Sequence, residues 1–370
     1  MPDTLSEQFA LVDGLVGDQP EAWDVAGALP RELLAKLGAA GILCAEVPAA
    51  FGGLGLSCGA NGALTAHVGS HCSSLRSIMT SQGIATATIR RFGDKGQRSR
   101  FLGELTGGQL AAVAFSEPGA GSDLSAMGTS VVSEGDSVVV TGEKKWTTGA
   151  RYADMLIVFG LDEHGLGAAV VVPVDTPGVH LEPVANPLGC RAAGHANVRL
   201  DAVRVPASHL LGGGGQALGM LFTTALSYGR MSVAWGCVGI VRACLDAATR
   251  HAATRTQGGV PLADRQLISR HLADLLVAEQ VSTQVCEHAA RSWTAGSPDQ
   301  AVAAVLAKHV SAGHAARSAA TAVQVLASAG SQDGHVVARA YRDAKLMEII
   351  EGSNEICQLI LAEHALSLAR

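Results

Sequence analysis

The chain has 370 residues, 48% of them apolar and 16% charged, with a net charge of −6. That length favours two or three compact domains over one core. The acidic balance and the lack of any basic run of five or more argue against nucleic acid as a partner. No stretch of 18 uncharged apolar residues reads as a membrane span, and residues 1–8 lack a basic-then-apolar signal, so no membrane partner and a cytoplasmic location are expected.

From the N-terminus to residue 110 the apolar period is mainly 3.6. "EQFALVDGLV", "PRELLAKLGAAGI" and "SLRSIMTSQGIATATIRRFG" predict helices, with "AAFGGLGLS" as a Gly-rich connection. Aromatic residues are only 4% of the chain, so the cores must be built from Ala, Val, Leu and Ile. Among the eight cysteines, Cys237 and Cys244 are seven apart on one predicted helix, with His251 nearby. No C-x-x-C occurs, and buried free thiols are the better reading than a metal site; no metal is expected.

At residue 111 the pattern changes to runs of valine with period two, which predicts a small, mostly antiparallel β domain over 111–215. Glu134-Gly135-Asp136 marks a hairpin within it. "FSEPGAGSDLS" (115–125) is either a plain turn or a nest of exposed backbone N–H groups able to hold a ring carbonyl or a phosphate. In "TGEKKWTTGA" (141–150), Trp146 either fills a core or backs a planar cofactor to which Thr148 donates. "GGGG" (212–215) then marks a hinge or a tight lead-in to the last domain.

Over 216–370 the helical period returns, with helices expected at 218–250, 264–295, 300–327, 335–350 and from 354, enough for a bundle. "RTQGG" (255–259) between two of these helices reads equally as a surface turn or as a grip on a pyrophosphate. Near the end, "IIEGSNEI" places Glu351 between two isoleucines and Gly352-Ser353. It is either a helix-end acid or a poorly solvated base. No G-x-G-x-x-G stands between a strand and a helix, so any nucleotide cofactor must be held another way.

"FSEPGAGSD", "GEKKWTTGA", "RTQGG" and "YRDAKLMEIIEGSNEI" stand in the order and at the spacing that resemble the acyl-CoA dehydrogenase family of flavoproteins. "AAFGGLGLS" and "DAVRVPASHLLG" also match, and the resemblance covers nearly the whole chain. It implies an acyl-CoA dehydrogenase-like fold: an N-terminal all-α domain (1–110), a middle β-barrel or β-sandwich domain (111–215) and a C-terminal four-helix bundle (216–370). It also implies FAD between the last two domains, held partly by a partner subunit of a homodimer or homotetramer, and an electron acceptor for the reduced flavin. Residue by residue, Glu351 falls where the catalytic base sits. Phe115, Ser116, Gly121 and Ser122 would line the flavin and the thioester channel, and Trp146 and Thr148 would contact the isoalloxazine. Arg255, Gln266 and Gln324 would reach FAD across the dimer, and Ser353 and Glu355 would touch it beyond the base. Ser122, Ser227, Arg230 and Gly352 would meet the substrate. Some members carry their base on the first bundle helix, but that position here is Gly229.

Four departures accompany the resemblance. Gly258 replaces an aromatic residue, Ala327-Ser328 replaces Gly-Gly, Ser227 replaces an acid or amide, and "LGCRAAGHANVRL" lacks the usual Ser/Asp/Thr polarity. They resemble the branch that makes hydroxymalonyl- and methoxymalonyl-acyl carrier protein for polyketide synthases. That resemblance implies a FAD-dependent dehydrogenase of a small acyl thioester, carried by an acyl carrier protein in place of CoA. The competing expectations are conventional short-chain acyl-CoA α,β-dehydrogenation and a non-catalytic acyl-thioester-binding protein.

Overall fold

The computed structural model describes residues 2–369. Helices come first: α1 (Pro2–Val16), α2 (Pro20–Ala26), α3 (Arg31–Ala39), α4 (Cys58–His71) and α5 (Ser73–Phe92). Two short turns, α6 (Lys95–Gln97) and α7 (Gly103–Thr106), lead to the sheet. Ser57 caps α4 by accepting from Ala60 N, and Asp94 with Gln97 forms a reciprocal capping box at α6. Helix α4 was not evident from periodicity. Its small residues let helices approach closely: Gly62 lies under Trp235, and Gly69 meets the backbone of Gly236. Burial on several sides removes the amphipathic signal.

Seven strands follow: β1 (Ala111–Ala114), β2 (Ser130–Glu134), β3 (Ser137–Thr147), β4 (Met155–Leu161), β5 (Gly167–Pro173), β6 (Val179–Pro183) and β7 (Ala196–Pro206). They form one sheet in the order β1-β4-β2-β3-β7-β6, with β5 on β4. The expected hairpin is present, Glu134 pairing with Ser137 across Gly135 and Asp136. Pairing is mostly antiparallel, but β1 and β4 run parallel. One face of the sheet buries Val131, Val140, Leu156, Val170 and Val198. The other packs Ile157, Phe159 and Val171 against α5 and the start of the next long helix.

Gly212 to Gly215 all adopt positive φ, and a side chain at Gly212 would strike Phe92 O at 2.4 Å. The segment is therefore a tight lead-in to α8 (Leu218–Thr254). After α8 a small hairpin, β8 (Thr256–Gln257) and β9 (Val260–Pro261), precedes α9 (Gln266–Thr294), α10 (Gln300–Leu326), α11 (Val336–Met347) and α12 (Asn354–Ser367). The bundle core is mostly alanine with valine and leucine, which permits close helix packing. Among the described residues α8 alone is long and apolar enough to cross a membrane, but 72% of its most apolar window is buried within the protein. It is the central core helix, packed on α4, α5, α9 and α10.

Candidate active site

A cavity of about 300 Å³ lies where α5, the sheet, α8 and the turn between α11 and α12 meet. Its sheet side is built from two loops. Lys144 points inward from β3 and is fully buried; its Nζ donates to Glu117 Oε1 at 2.7 Å and to Phe115 O at 3.2 Å. Glu117 also accepts from the N–H groups of Gly128 and Thr129 and from the Thr129 hydroxyl. Burial pushes the Lys144 ammonium down to about 8, opposed by Glu117. Burial alone would raise the Glu117 carboxyl, but the hydrogen bonds outweigh it and hold the group below its usual range. This pair pins the loop carrying Phe115, Ser116, Gly121 and Ser122 to the cavity wall, and Lys145 N adds a bond to Ser116 O.

Trp146 and Thr148 follow on the same strand end. Trp146 takes a φ of +55° and is 52% exposed, although it borders the cavity. It fills no core, so its indole offers a flat face to a ligand. Thr148 Oγ1 meets His195 Nδ1 at 3.2 Å, and burial pushes the His195 imidazole down to about 4, so the ring is neutral near pH 7. His195 Nε2 is buried with no partner in the protein, and the ring lines the cavity.

The helical side carries Glu351. Its φ is +56°, a left-handed conformation rare for a residue with a side chain, and it turns the carboxylate inward toward α8. A Cβ at Gly229 would lie 2.1 Å from Glu351 Oε2, so glycine there makes the room. Arg230 Nε donates to Glu351 O at 3.1 Å. Lys308, fully buried on α10, donates from Nζ to Gly352 O at 2.7 Å and to Glu348 O and Asn354 Oδ1 at 3.3 Å. Two cations thus clamp the turn from below. Desolvation raises the Glu351 carboxyl to about 7, partly offset by Arg230, Lys308 and Arg76. Glu351 is therefore no mere helix-end acid. Near neutral pH it is poised to exchange a proton.

Nine of the residues singled out in the sequence come together at the cavity: Phe115, Ser116, Gly121, Ser122, Trp146, Thr148, Arg230, Glu351 and Gly352. Ser227 is buried on α8 and is not part of the lining. Arg255, Gln266 and Gln324 are exposed and outside it. Ser353 caps α12 by accepting from Ile356 N, and Glu355 is exposed beside it; neither lines the cavity. Arg76, Ser77, Thr80, Cys190 and His195 do line it, although the sequence offered no motif for them. The grouping of potential metal ligands found among the described residues is Asp13, His67 and His71, remote from Cys237 and Cys244 in sequence.

Three family models describe successive parts of the chain: the acyl-CoA dehydrogenase N-terminal domain over 10–109, the middle domain over 112–203 and the C-terminal domain over 220–366. The chain belongs to the acyl-CoA dehydrogenase family. It is 34% identical over 296 residues to a probable acyl-CoA dehydrogenase, YngJ, of Bacillus subtilis, covering 78% of this chain and 77% of that one. It is 34% identical over 305 residues to the short-chain specific acyl-CoA dehydrogenase of Bos taurus mitochondria, covering 81% of this chain and 74% of that one. Among solved structures, FkbI, described as acting in biosynthesis of the methoxymalonyl extender unit of the polyketide FK520, matches with 61% identity and a TM-score of 0.94. That match covers 97% of this chain and 99% of the other. Butyryl-CoA dehydrogenase from Megasphaera elsdenii matches with 27% identity and a TM-score of 0.93, over 99% of both chains. The protein is a FAD-dependent acyl-thioester dehydrogenase. The cavity fits a flavin: an open indole face, the Thr148 hydroxyl and the orphaned His195 nitrogen supply stacking and hydrogen bonds for a flat polar ring.

Proposed function

We propose that the protein oxidises a small, oxygen-bearing acyl group carried as a thioester on an acyl carrier protein, supplying a hydroxymalonyl- or methoxymalonyl-type polyketide extender unit. The observation that carries this reading is the 61% identity to FkbI across almost the entire chain. The cavity supports it from the inside, because α5 contributes the polar side chains of Arg76, Ser77, Thr80 and Ser81 to its lining, partners for an oxygen-bearing group.

In this reading Phe115, Ser116, Gly121, Ser122, Trp146 and Thr148 hold the flavin, with His195 as a further hydrogen-bonding partner. Bound FAD supplies the acceptor for two electrons and one hydrogen. Glu351 is the general base, and its raised pKa near 7 matches it to a proton held only moderately. For a C3 aldehyde, the hydrate loses a hydroxyl proton to the Glu351 carboxylate and its C3 hydrogen with two electrons, leaving a carboxylic acid. For a conventional acyl-CoA, the second reading, the same carboxylate takes the Cα proton while a Cβ hydrogen leaves with two electrons; its support is the lower, 33–34% identity to short-chain specific dehydrogenases. Arg230 and Lys308 hold the base through its own backbone and that of its neighbours.

Arg255, Gln266 and Gln324 we assign to a cofactor shared with a second copy, with Ser353 and Glu355 at its outer edge. Support comes from their exposure and from the apolar surface of α9 beside them, where Leu267, Leu276 and Val277 are more than half exposed. A dimer or tetramer, an external electron acceptor and a reducing cytoplasm complete the proposal; the eight cysteines are free thiols. A 37.7 kDa monomer that keeps stoichiometric FAD in light scattering would overturn the shared site.

The function is tested by anaerobic flavin reduction with C3 acyl groups at the aldehyde level on carrier protein, beside short acyl-CoAs. Reduction by the carrier-bound C3 unit is expected. Rapid reduction by butyryl-CoA with none by carrier-bound substrates would replace the proposal with the conventional reaction.

A further inference from the structure

Helix α4 carries two histidines four residues apart, His67 and His71, which the helical period places on one face. Asp13 of α1 meets both. Its Oδ1 lies 2.8 Å from His67 Nε2 and 2.8 Å from His71 Nε2, and the three atoms all fall within 4.8 Å of one another. Among the described residues no lysine or arginine pairs with Asp13; its ion-pairing partners are these two rings. None of the three residues borders the cavity, and the proposed reaction does not use them.

The cluster is held from behind. Val12 and Val16 of α1 are fully buried in the same core as Leu64 and Val68 of α4, so both helix backbones are fixed beneath it. Phe9, one turn before Asp13, stacks on the His67 ring with centroids 4.3 Å apart and planes 17° from parallel. That contact orients the imidazole. Arg339, itself paired with Glu21, donates to His71 O at 2.8 Å and pins the other end of the pair. The ligand atoms nevertheless face solvent: the Asp13 side chain is 51% exposed, against 22% for His67 and 29% for His71. Burial holds the His71 imidazole below its ordinary value, against the pull of Asp13, so the ring is available as a neutral ligand near pH 7.

We infer that Asp13, His67 and His71 form a zinc site that fastens α1 to α4. Two imidazoles at i and i+4 on a helix, joined by a carboxylate from a second element, are three ligands of the kinds that zinc takes, with water as the fourth. Mg²⁺ and Ca²⁺ call for oxygen ligands and fit poorly. Each neutral ring turns its hydrogen to Nδ1 as Nε2 takes the metal, so no net proton is released. Zinc bonds of about 2.1 Å in a tetrahedron set the ligand atoms about 3.4 Å apart, so Asp13 Oδ1 has to back away by roughly 0.6 Å. An exposed side chain does this by a small rotation. The third ligand stands 54 positions from His67 in the chain, which is why the sequence alone points to no metal.

The test uses the FAD-loaded protein, stripped of metal with a chelator and dialysed. ZnCl₂ and, separately, MgCl₂ are titrated by calorimetry, and bound metal is counted by mass spectrometry of the digested protein. Wild type should bind one Zn²⁺ per chain and no Mg²⁺, and its melting midpoint should rise with Zn²⁺ concentration. His67→Ala, His71→Ala and Asp13→Ala should each weaken Zn²⁺ beyond the roughly 10- to 100-fold that loss of an outer hydrogen-bonding partner costs a metal site. Their melting midpoints should no longer respond to Zn²⁺. Zinc taken up by any of the eight free thiols would survive all three changes, so the variants separate that uptake from this site. No uptake by wild type, or affinity unchanged in any one of the three variants, would overturn the inference. Where one variant fails to fold, the other two decide it by the same criterion.

Discussion

On the sheet side of the cavity the buried charges satisfy each other. Lys144 and Glu117 Oε1 form an ion pair at 2.7 Å; Oε1 also accepts from the Thr129 N–H and hydroxyl, and Oε2 accepts from the Gly128 N–H. On the helical side, Glu351 sits in a desolvated turn with its carboxylate near 7, and Arg76 keeps an unpartnered Nε. The same residue types are therefore used in two ways. A satisfied pair fixes a loop and gains nothing from a ligand, whereas a pair of incompletely satisfied charges leaves its interaction energy for what enters. Structural and chemical roles fall on different walls of the cavity, and each wall can be perturbed alone.

The largest effect expected is on the helical wall. Glu351→Gln should keep FAD and the fold, because the backbone bonds from Arg230 and Lys308 into the turn remain. Flavin reduction by substrate should fall by roughly 10³-fold or more, the scale of a lost general base. Anaerobic stopped-flow absorbance measures this. A variant reduced at the wild-type rate would remove Glu351 from the reaction.

On the sheet wall the corresponding change should cost stability instead of chemistry. Lys144→Met leaves Glu117 with an uncompensated charge in a site only 9% exposed at its side chain. Denaturant unfolding should show a loss of about 3 kcal/mol, typical of breaking a buried pair from one side. FAD occupancy should fall with it as the loop over 115–122 loosens. A full-length protein of unchanged stability would mean the two walls are not built differently after all.

How much of this contrast could be read from the sequence depends on what each wall is made of. The loop wall lies in contiguous motifs, "FSEPGAGSD" and "GEKKWTTGA", so its residues were visible as strings. Helical periods and the Glu134–Ser137 hairpin were equally legible, since local pattern determines them. The helical wall is assembled from distant positions. In "SLRSIMTSQ" the polar residues Arg76, Ser77 and Thr80 look like the solvated face of an amphipathic helix, yet all three are buried against the cavity. Nothing local distinguishes a polar face turned to water from one turned to a ligand. His195 was hidden in a stretch notable only for its lack of Ser, Asp and Thr; a lone histidine after the tryptophan motif was the available signal.

A smaller effect is expected outside both walls. Arg255→Ala should weaken FAD retention by roughly 10-fold, the worth of one charged hydrogen bond, without touching the unfolding midpoint of the apoprotein. Ultrafiltration of the holoenzyme at graded dilution measures it. Unaltered FAD affinity in an intact dimer would confine cofactor binding to the cavity of one chain and remove the cross-subunit role.

The finest test concerns pH. Glu351 works as a base only when deprotonated, and its pKa lies near 7, so the rate of flavin reduction should rise with pH through a midpoint near 7. The stability contribution runs the other way. Its folded pKa is raised above the ordinary 4.5, so the folded protein holds more protons than the unfolded chain between 4.5 and about 7. Stability from this group is therefore complete below 4.5 and is lost as pH rises through 7, a slope that Glu351→Gln should erase. Arg230 lowers the Glu351 pKa most among the neighbouring cations and Arg76 least. Arg76→Met should therefore move the kinetic midpoint slightly upward, and Arg230→Met should move it further. A midpoint that stays fixed in both would show that desolvation alone tunes the base and that the cations of the helical wall serve binding only.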